Sequence, residues 1–453
     1  MKQLLLIITI ALSNNILFAQ QSFTLKQALE YSLLHNLQLD NNQLNIKQTD
    51  WQLKEIKSLG LPQVKVSADY QYFIDIPTQF LPDFISPAIY GVLMAEGLIP
   101  YKNINTDGLT PVQFGQKNNF TVGIQASQLV FSGNYLIGLE ALKTIQELSI
   151  KQIKRTTKEI KRDVTKAYYT CLIANENKIM LDKNITLLEK SLKETKEYYK
   201  NGFVEQLDIE RLELSLQSLL AQTENINRQI KLTEDLLKFQ MGLDLHTAII
   251  LKDSLSQFTT QSINFIDQSE SRIELEILKT QRYLTELNVK KYKSTKWPTI
   301  AALASVSANR PSNIFDYYKL KQKFFPTSLI GINVSMPLWD SGTRKAQIQQ
   351  ALIDGLKIDN AMEMMRQGMA LEKSKAKTDY DNAMNTINNL KQNIALAQKI
   401  YDKTRIKYKE GVGSSIEITQ AESKLFETQT SYINAIYQML IARTDLKNAY
   451  GIE

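Results

Sequence analysis

Four stretches of the chain alternate apolar and polar residues with a period of two. Val64, Val66, Ala68, Tyr70, Tyr72 and Ile74 alternate with Gln63, Lys65, Ser67, Asp69 and Gln71. Phe120, Val122, Ile124 and Ala126 alternate with Thr121, Gly123, Gln125 and Ser127, and the pattern returns from Ile300 to Ala308 and from Ile330 to Leu338. Alternation gives a strand one apolar and one polar face, so strands are predicted over about 62–75, 119–131, 298–309 and 328–339. Each window has roughly the 9–11 residues that cross a bilayer at a tilt. Phe73, Phe80, Phe131, Trp297, Phe324, Phe325 and Trp339 gather near the window ends, as in an interfacial aromatic girdle. Ile76–Lys117 and Arg310–Pro326, rich in Pro, Gly, Asn and aromatics, read as the outward loops of two hairpins, the first unusually long.

Elsewhere the period changes. From Asn134 to Lys200 there is no proline and one glycine, Gly138, which predicts a helix of roughly 100 Å. Ser341–Glu410 reads alike, apart from Gly342, Gly355 and Gly368. Apolar positions recur at heptad-like spacing, at Ile153, Ile160, Val164, Ala167 and Cys171, and again at Ile418, Ala421, Leu425, Tyr432, Ile436, Leu440 and Leu446. Such stripes on helices too long for a globular core are packing seams between helices. Gly202 and Gly411 suit the left-handed residue that ends a long helix. Return helices are expected over Val204–Gln240 and Ile416–Asn448. Thr24–Leu59 and Ser269–Thr295 supply further helical lengths. Leu243–Asp267 is a poorly helical linker, expected to form a collar part-way along.

The chain repeats itself. Tyr199-Lys200-Asn201-Gly202-Phe203-Val204 recurs as Tyr408-Lys409-Glu410-Gly411-Val412-Gly413, a shift of 209 residues (411 − 202 = 209) that also relates Leu207 to Ile416, Asp208 to Glu417 and Glu213 to Glu422. A period this long indicates a duplicated half-molecule rather than a solenoid. Repeat 1 covers about 22–243, a linker about 244–267, and repeat 2 about 268–453.

Composition narrows the class. Residues 1–19 read as a signal peptide, with Lys2 followed by the short apolar run Leu4–Leu12, leaving 20–453 as the exported chain. The single cysteine, Cys171, excludes an intrachain disulfide. No segment reaches 18 consecutive apolar residues, and a mean hydropathy of −0.25 is compatible with a β-barrel, whose membrane signal is dilute. A net charge of +7 spread along 453 residues forms no nucleic-acid stripe. His35 and His246 are isolated, and no Walker loop, GxSxG or HExxH occurs, so neither cofactor, metal nor catalytic centre is expected.

Alternation alone also fits a soluble sandwich with one wet face; the signal peptide and the long helices favour the membrane. Four strands cannot close a barrel, and an open edge in lipid leaves backbone groups without partners. Several chains must then share one barrel, and three would give twelve strands. Small polar residues on the strands (Ser67, Thr121, Gly123, Ser127, Ser335) argue for a conducting lumen over a non-conducting, periplasm-spanning coiled-coil protein.

The motifs Phe23-Thr24-Leu25-Lys26-Gln27-Ala28-Leu29 and Arg272-Ile273-Glu274-Leu275, with the paired Tyr-x-x-Gly turns Tyr199–Gly202 and Tyr408–Gly411, give a chain that resembles the outer-membrane efflux protein (TolC) family over essentially its whole mature length. The resemblance implies a mostly α fold with a membrane β part: a long α-helical coiled-coil barrel joined to a twelve-stranded barrel shared by a homotrimer in the outer-membrane lipid. It implies an exit duct of a tripartite efflux or type I secretion system. Gly202, Phe203, Gly411, Val412 and Gly413 would contact a periplasmic adaptor, itself fed by an inner-membrane pump. At the constriction, Glu417 matches a ring acid and Gln420 stands where a second acid can occur. Asp208 matches an acid that helps hold the tip closed, Tyr408 a tyrosine of the same latch, and Gly413 takes the place of a basic partner. Asp208 and Glu417 also lie in first helical turns, where a carboxylate is favourable whatever its role.

Overall fold

The computed structural model describes residues 21–103, 109–259, 271–319 and 323–452. The expected signal peptide and the second part of the expected linker lie outside them. In chain order the elements are β1 (Gln21–Phe23), α1 (Leu25–His35), α2 (Leu37–Ser58), β2 (Gln63–Tyr72), β3 (Thr78–Pro82), α3 (Ile85–Ala95), β4 (Leu109–Gln113), β5 (Asn118–Phe131), α4 (Gly133–Lys200), α5 (Gln206–Met241), β6 (Ile249–Leu251), α6 (Leu255–Thr259), α7 (Ile273–Ser294), β7 (Thr299–Ser312), β8 (Phe325–Ser335), α8 (Thr343–Lys409) and α9 (Ser415–Ala449). They fall into two compact units, one formed by residues 1–50, 144–286 and 352–453, the other by 51–143 and 287–351. Each unit draws on residues from both halves of the chain.

The second unit holds one antiparallel sheet in the order β2-β5-β7-β8. Its register aligns the alternation across strands. Val66, Ile124, Val306 and Ser328 lie side by side, as do Val64, Ala126, Ala304 and Ile330, while Ser67, Gly123, Ser307 and Thr327 line up on the other face. The apolar face is open: Val66 is 67% exposed and Ile330 89%. An aromatic cluster of Tyr70, Phe120, Phe315, Tyr317 and Phe324 gathers at one end of the strands. Phe131 and Trp297 mark the other end. Among the described residues β2 and β8 are each paired on one side only.

Strand limits differ from the sequence expectation for local reasons. β8 stops at Ser335, opposite Thr299, so Met336 and Leu338 are not strand residues. Pro298 and Pro337 flank this last pair, and neither can donate to a ladder. β7 runs beyond its expected end into the expected loop, to Ser312. Its pairing with β8 starts only at Asn309, so Pro311 needs hydrogen bonds to β5 alone. The described part of the long loop is itself structured, with β3 and β4 forming a small antiparallel pair around α3.

In the helical unit, α4 has 68 residues and α8 has 67, each close to 100 Å long. α5 and α9 return over 36 and 35 residues. Ile160, Val164, Ala167 and Cys171 are buried, as are Ile418, Ala421, Leu425, Ile436, Leu440 and Leu446, so the apolar stripes are packing seams. Near the turns, Leu188, Leu192, Ile209 and Leu212 fill the α4–α5 seam, and Tyr401, Ile418 and Leu425 the α8–α9 seam. Truncating one such leucine to alanine removes about 2–5 kcal/mol.

The first helical stretch, expected over Thr24–Leu59, breaks at Asn36. That residue adopts an extended conformation (ψ 119°). Its Oδ1 accepts from the N–H of Gln38 at 2.9 Å and its Nδ2 donates to the carbonyl of Gln240 at 3.1 Å, a side-chain alternative to the helical ladder. Thr24 and Gln27 form a reciprocal capping box at the start of α1, which explains the Thr-Leu-Lys-Gln spacing physically. The described part of the expected linker contributes β6, parallel to β1, and the single-turn α6. Asp253 ties this collar together, accepting from the N–H of Leu25 (2.7 Å) and the hydroxyl of the buried Tyr168 (2.9 Å). α7 begins at Ile273, four residues after its expected start.

Candidate functional site

The two Gly turns end α4 and α8 by the same local chemistry. The N–H of Phe203 donates to the carbonyl of Tyr198 (3.0 Å), and the N–H of Val412 to that of Lys407 (3.0 Å). Both bonds close the six-residue loop of a Schellman ending. The residue at its corner must be left-handed, and Gly202 and Gly411 have φ of 78° and 73°. Open space surrounds both glycines, so backbone conformation alone demands them. Phe203 and Val412 project outward, 78% and 75% exposed. Gly413 is a different case: a Cβ there would lie 3.0 Å from the backbone nitrogen of Tyr408.

The turns are held together by the helix starts that follow them. Asp208, in the first turn of α5, accepts from the N–H of Glu205 (3.1 Å) through one carboxylate oxygen. Its other oxygen accepts a short hydrogen bond from the hydroxyl of Ser415, the first residue of α9. Arg211 completes the clamp: its Nη1 lies 3.6 Å from Asp208 and donates to Ser415 Oγ at 3.1 Å. Across the other helix pair, Glu194 of α4 meets Arg405 (3.4 Å) and Lys409 (3.3 Å) of α8. Tyr408 is half-buried, with its hydroxyl 3.4 Å from Thr195 Oγ1. Burial, outweighing the Thr195 hydrogen bond, raises its pKa.

Glu417 and Gln420 lie outside this network. Both are exposed on α9. The N–H of Glu417 is capped by Ser414 Oγ at 3.3 Å, while its carboxylate has no side-chain partner among the described residues. Of the residues singled out in sequence, Asp208 and Tyr408 thus join a cross-helix network, and Glu417 and Gln420 do not.

Several participants escaped the sequence reading. Arg211 lies three residues after Asp208, a helical neighbour spacing that could have flagged it. Ser415, Glu194, Arg405 and Lys409 are far apart in sequence and carry no local signal. Glu422 is 2% exposed, and burial pushes its carboxyl up to about 7. The hydroxyl of Tyr401 donates to it at 3.5 Å, and Arg405 acts in the opposite sense to burial. The buried Ser191 hydroxyl of α4 lies beside it. Among the described residues no group of His, Cys, Asp and Glu could hold a metal, and no helix is long and apolar enough to cross a membrane.

Three comparisons bear on this architecture. Residues 278–452 match the model of the family described as outer membrane efflux protein. The outer membrane protein TolC of Salmonella enteritidis is 25% identical over 122 residues, which cover 27% of this chain and only 25% of that protein. TolC of Vibrio cholerae is 18% identical over 354 residues, covering 77% of this chain and 80% of its own. The crystal structure of the outer membrane protein VceC from Vibrio cholerae superposes with a TM-score of 0.69 at 14% identity, covering 94% of this chain and 96% of that one, which shows a shared fold. Over residues 278–452 the chain is thus similar to the outer membrane efflux protein family, and it shares the fold of an outer membrane protein of known structure.

Proposed function

We propose that this protein is the outer-membrane exit duct of an efflux or secretion system, a passive conduit without catalytic activity of its own. The observation that carries this reading is the four-stranded sheet. It has a continuous exposed apolar face, aromatic residues toward both ends, and two strands, β2 and β8, with a free edge each. In hydrocarbon those edges need partners. Pairing β2 of one copy with β8 of the next closes a barrel, and three copies give twelve strands. The helical unit is periplasmic, and its Gly turns, six in a trimer, present Phe203 and Val412 to a periplasmic adaptor, which an inner-membrane pump feeds.

The tip residues divide into two roles. Asp208, with Arg211 and Ser415, holds the two hairpins of a chain together in the closed tip, and Tyr408 supports the same packing. Three copies of Glu417 face the axis, with Gln420 one turn behind as a neutral ring. Converging carboxylates focus a negative potential and favour cations.

Mass measurement in detergent and planar-bilayer recording test the reading together. Trimers that conduct support it. A stable monomer that conducts by itself would remove the need for shared strands. Stable trimers that never conduct would establish instead a structural, periplasm-spanning protein.

A further inference from the structure

A cavity of about 310 Å³ opens in the helical unit between α1, α4 and the C-terminal end of α9. Among the described residues six cationic side chains line it, Lys158, Lys161 and Arg162 from α4, Arg272 just before α7, and Arg443 and Lys447 from α9, against one carboxylate, Glu274. Its remaining wall includes Leu25, Leu29 and Phe258. The duct reading makes no use of this place.

Two of the arginines are already neutralised. Arg162 pairs with Asp163 at 2.8 Å, and Arg272 with Glu274 (2.9 Å) and Glu372 (2.6 Å). Arg443 is not. It is 4% exposed, its Nη1 donates to the carbonyl of Phe258 (2.6 Å) and its Nη2 to the hydroxyl of Tyr169 (3.3 Å). Both acceptors are neutral, and no carboxylate lies within ion-pair distance among the described residues. A buried cation with only neutral acceptors is unfavourable until a counter-charge arrives. A guanidinium has five donors in a planar fork that matches a phosphate or carboxylate head group. Lys158 and Lys447, half-exposed on the same wall, add charge at the rim. A cavity at the small end of ligand-sized volumes, with apolar walls and a few convergent polar groups, has the composition of a small-molecule site.

We propose that this cavity binds a small organic anion, a doubly charged phosphate head group on an apolar body. The head group meets Arg443, with Lys158 and Lys447 closing over it, and the body lies against Leu25, Leu29 and Phe258. The site is independent of the duct reading, because it belongs to one unit of one chain and needs no conduction.

Titration calorimetry on the full-length protein in detergent, at low salt, tests it with phenyl phosphate as the probe. Phenyl phosphate is expected to bind at least tenfold more tightly than inorganic phosphate, which lacks the body, with phenol showing no binding. Raising the salt weakens the interaction. The double variant Lys158→Gln/Lys447→Gln is expected to lose about tenfold in affinity, and Thr444→Phe, which fills the cavity, to lose binding altogether. Both should keep the parental circular dichroism and assembly mass. No binding of phenyl phosphate, as when a second copy covers the cavity, overturns the proposal. So does equal binding of inorganic phosphate, or parental affinity in correctly assembled Thr444→Phe.

Discussion

The hairpin α4–α5 and the hairpin α8–α9 are built from related sequence, yet they place equivalent carboxylates in opposite settings. Asp208 is engaged on both oxygens, while its counterpart Glu417 is exposed with only its backbone capped. One turn of helix and a little more beyond, the pattern inverts. Glu213 is half-exposed and pairs with Lys196 at 2.7 Å, whereas its counterpart Glu422 is buried against Tyr401. Each hairpin therefore gives one acid to the interior of the chain and leaves the other toward solvent. The choice alternates because α9 leans its Glu422 face on α8 and α4, while α5 leans its Asp208 face on α9. The shared sequence pattern preserves the turn; the neighbour against which each helix packs decides what its charges do.

The strongest way to break this contrast is Glu422→Gln. The buried carboxyl has a folded-state pKa of about 7 against an ordinary value of 4.5. Burial favours the protonated form, so the native state is free of the penalty below about pH 4.5 and bears all of it above about pH 7. Stability should therefore fall as pH rises through this window. The full shift corresponds to an upper figure on the order of 3 kcal/mol. Tyr401, Arg405 and Ser191 are the groups that face it, and Arg405 is held by Glu194. Glu422→Gln is expected to flatten the dependence of the unfolding midpoint between pH 5 and pH 8 and to stabilise most at pH 8. Glu213→Gln should do neither. Parallel pH profiles for parent and Glu422→Gln would show that the carboxyl is charged and solvated in the native state.

Next in size is Asp208→Ala. It removes an accepted charge-assisted hydrogen bond and leaves Ser415 and Arg211 without their common partner, a loss of about 2 kcal/mol. If the clamp exists only in the closed tip, the resting conductance of a reconstituted channel should rise by up to about 30-fold, the same energy expressed as a ratio. Unchanged conductance would make Asp208 a helix cap and nothing more.

Gly202→Val and Gly411→Val sharpen the part of the comparison in which the hairpins agree. A β-branched residue at a left-handed position costs about 1–2 kcal/mol, and the open space around both glycines means that conformation is the whole cost. The two variants should behave alike, each weakening cross-linking to the adaptor. A large difference between them would assign the docking contact to one turn.

Glu417→Ala should have the smallest energetic effect, within about 0.5 kcal/mol, because the residue is exposed. It should nevertheless lower the cation preference of single channels. Retention of the parental selectivity would mean that these carboxylates do not face the pore.

Much of the fold was legible because it rests on local periodicity. The seams through Val164 and Leu440, the sheet alternation from Val64 and the left-handed glycines all follow from spacing and conformation. The missed features are set by distant partners. Nothing in the sequence around Asn36 announces that the carbonyl of Gln240 will be there to accept from it. The shortening of β8 depends on Pro298, which lies on the neighbouring strand's approach. At the tip, Asp208 and Glu417 were visible as acids after turns, but their division of labour was not. It depends on Ser415 and Arg211 meeting across some 200 residues of chain. The fates of Glu213 and Glu422 differ for the same reason, with identical residue types at equivalent positions.

The open edges of β2 and β8 bear on how such a protein is made. Under the proposed assembly, a single chain has no acceptable resting place inside the bilayer, since insertion alone would strand two rows of backbone groups in hydrocarbon. Insertion and association then become one event, and the supply of free chains sets the yield of channels. A chain whose edge strand cannot pair would also spoil the barrel for the intact copies that recruit it. In a cell carrying both versions, the damaged copy would be dominant.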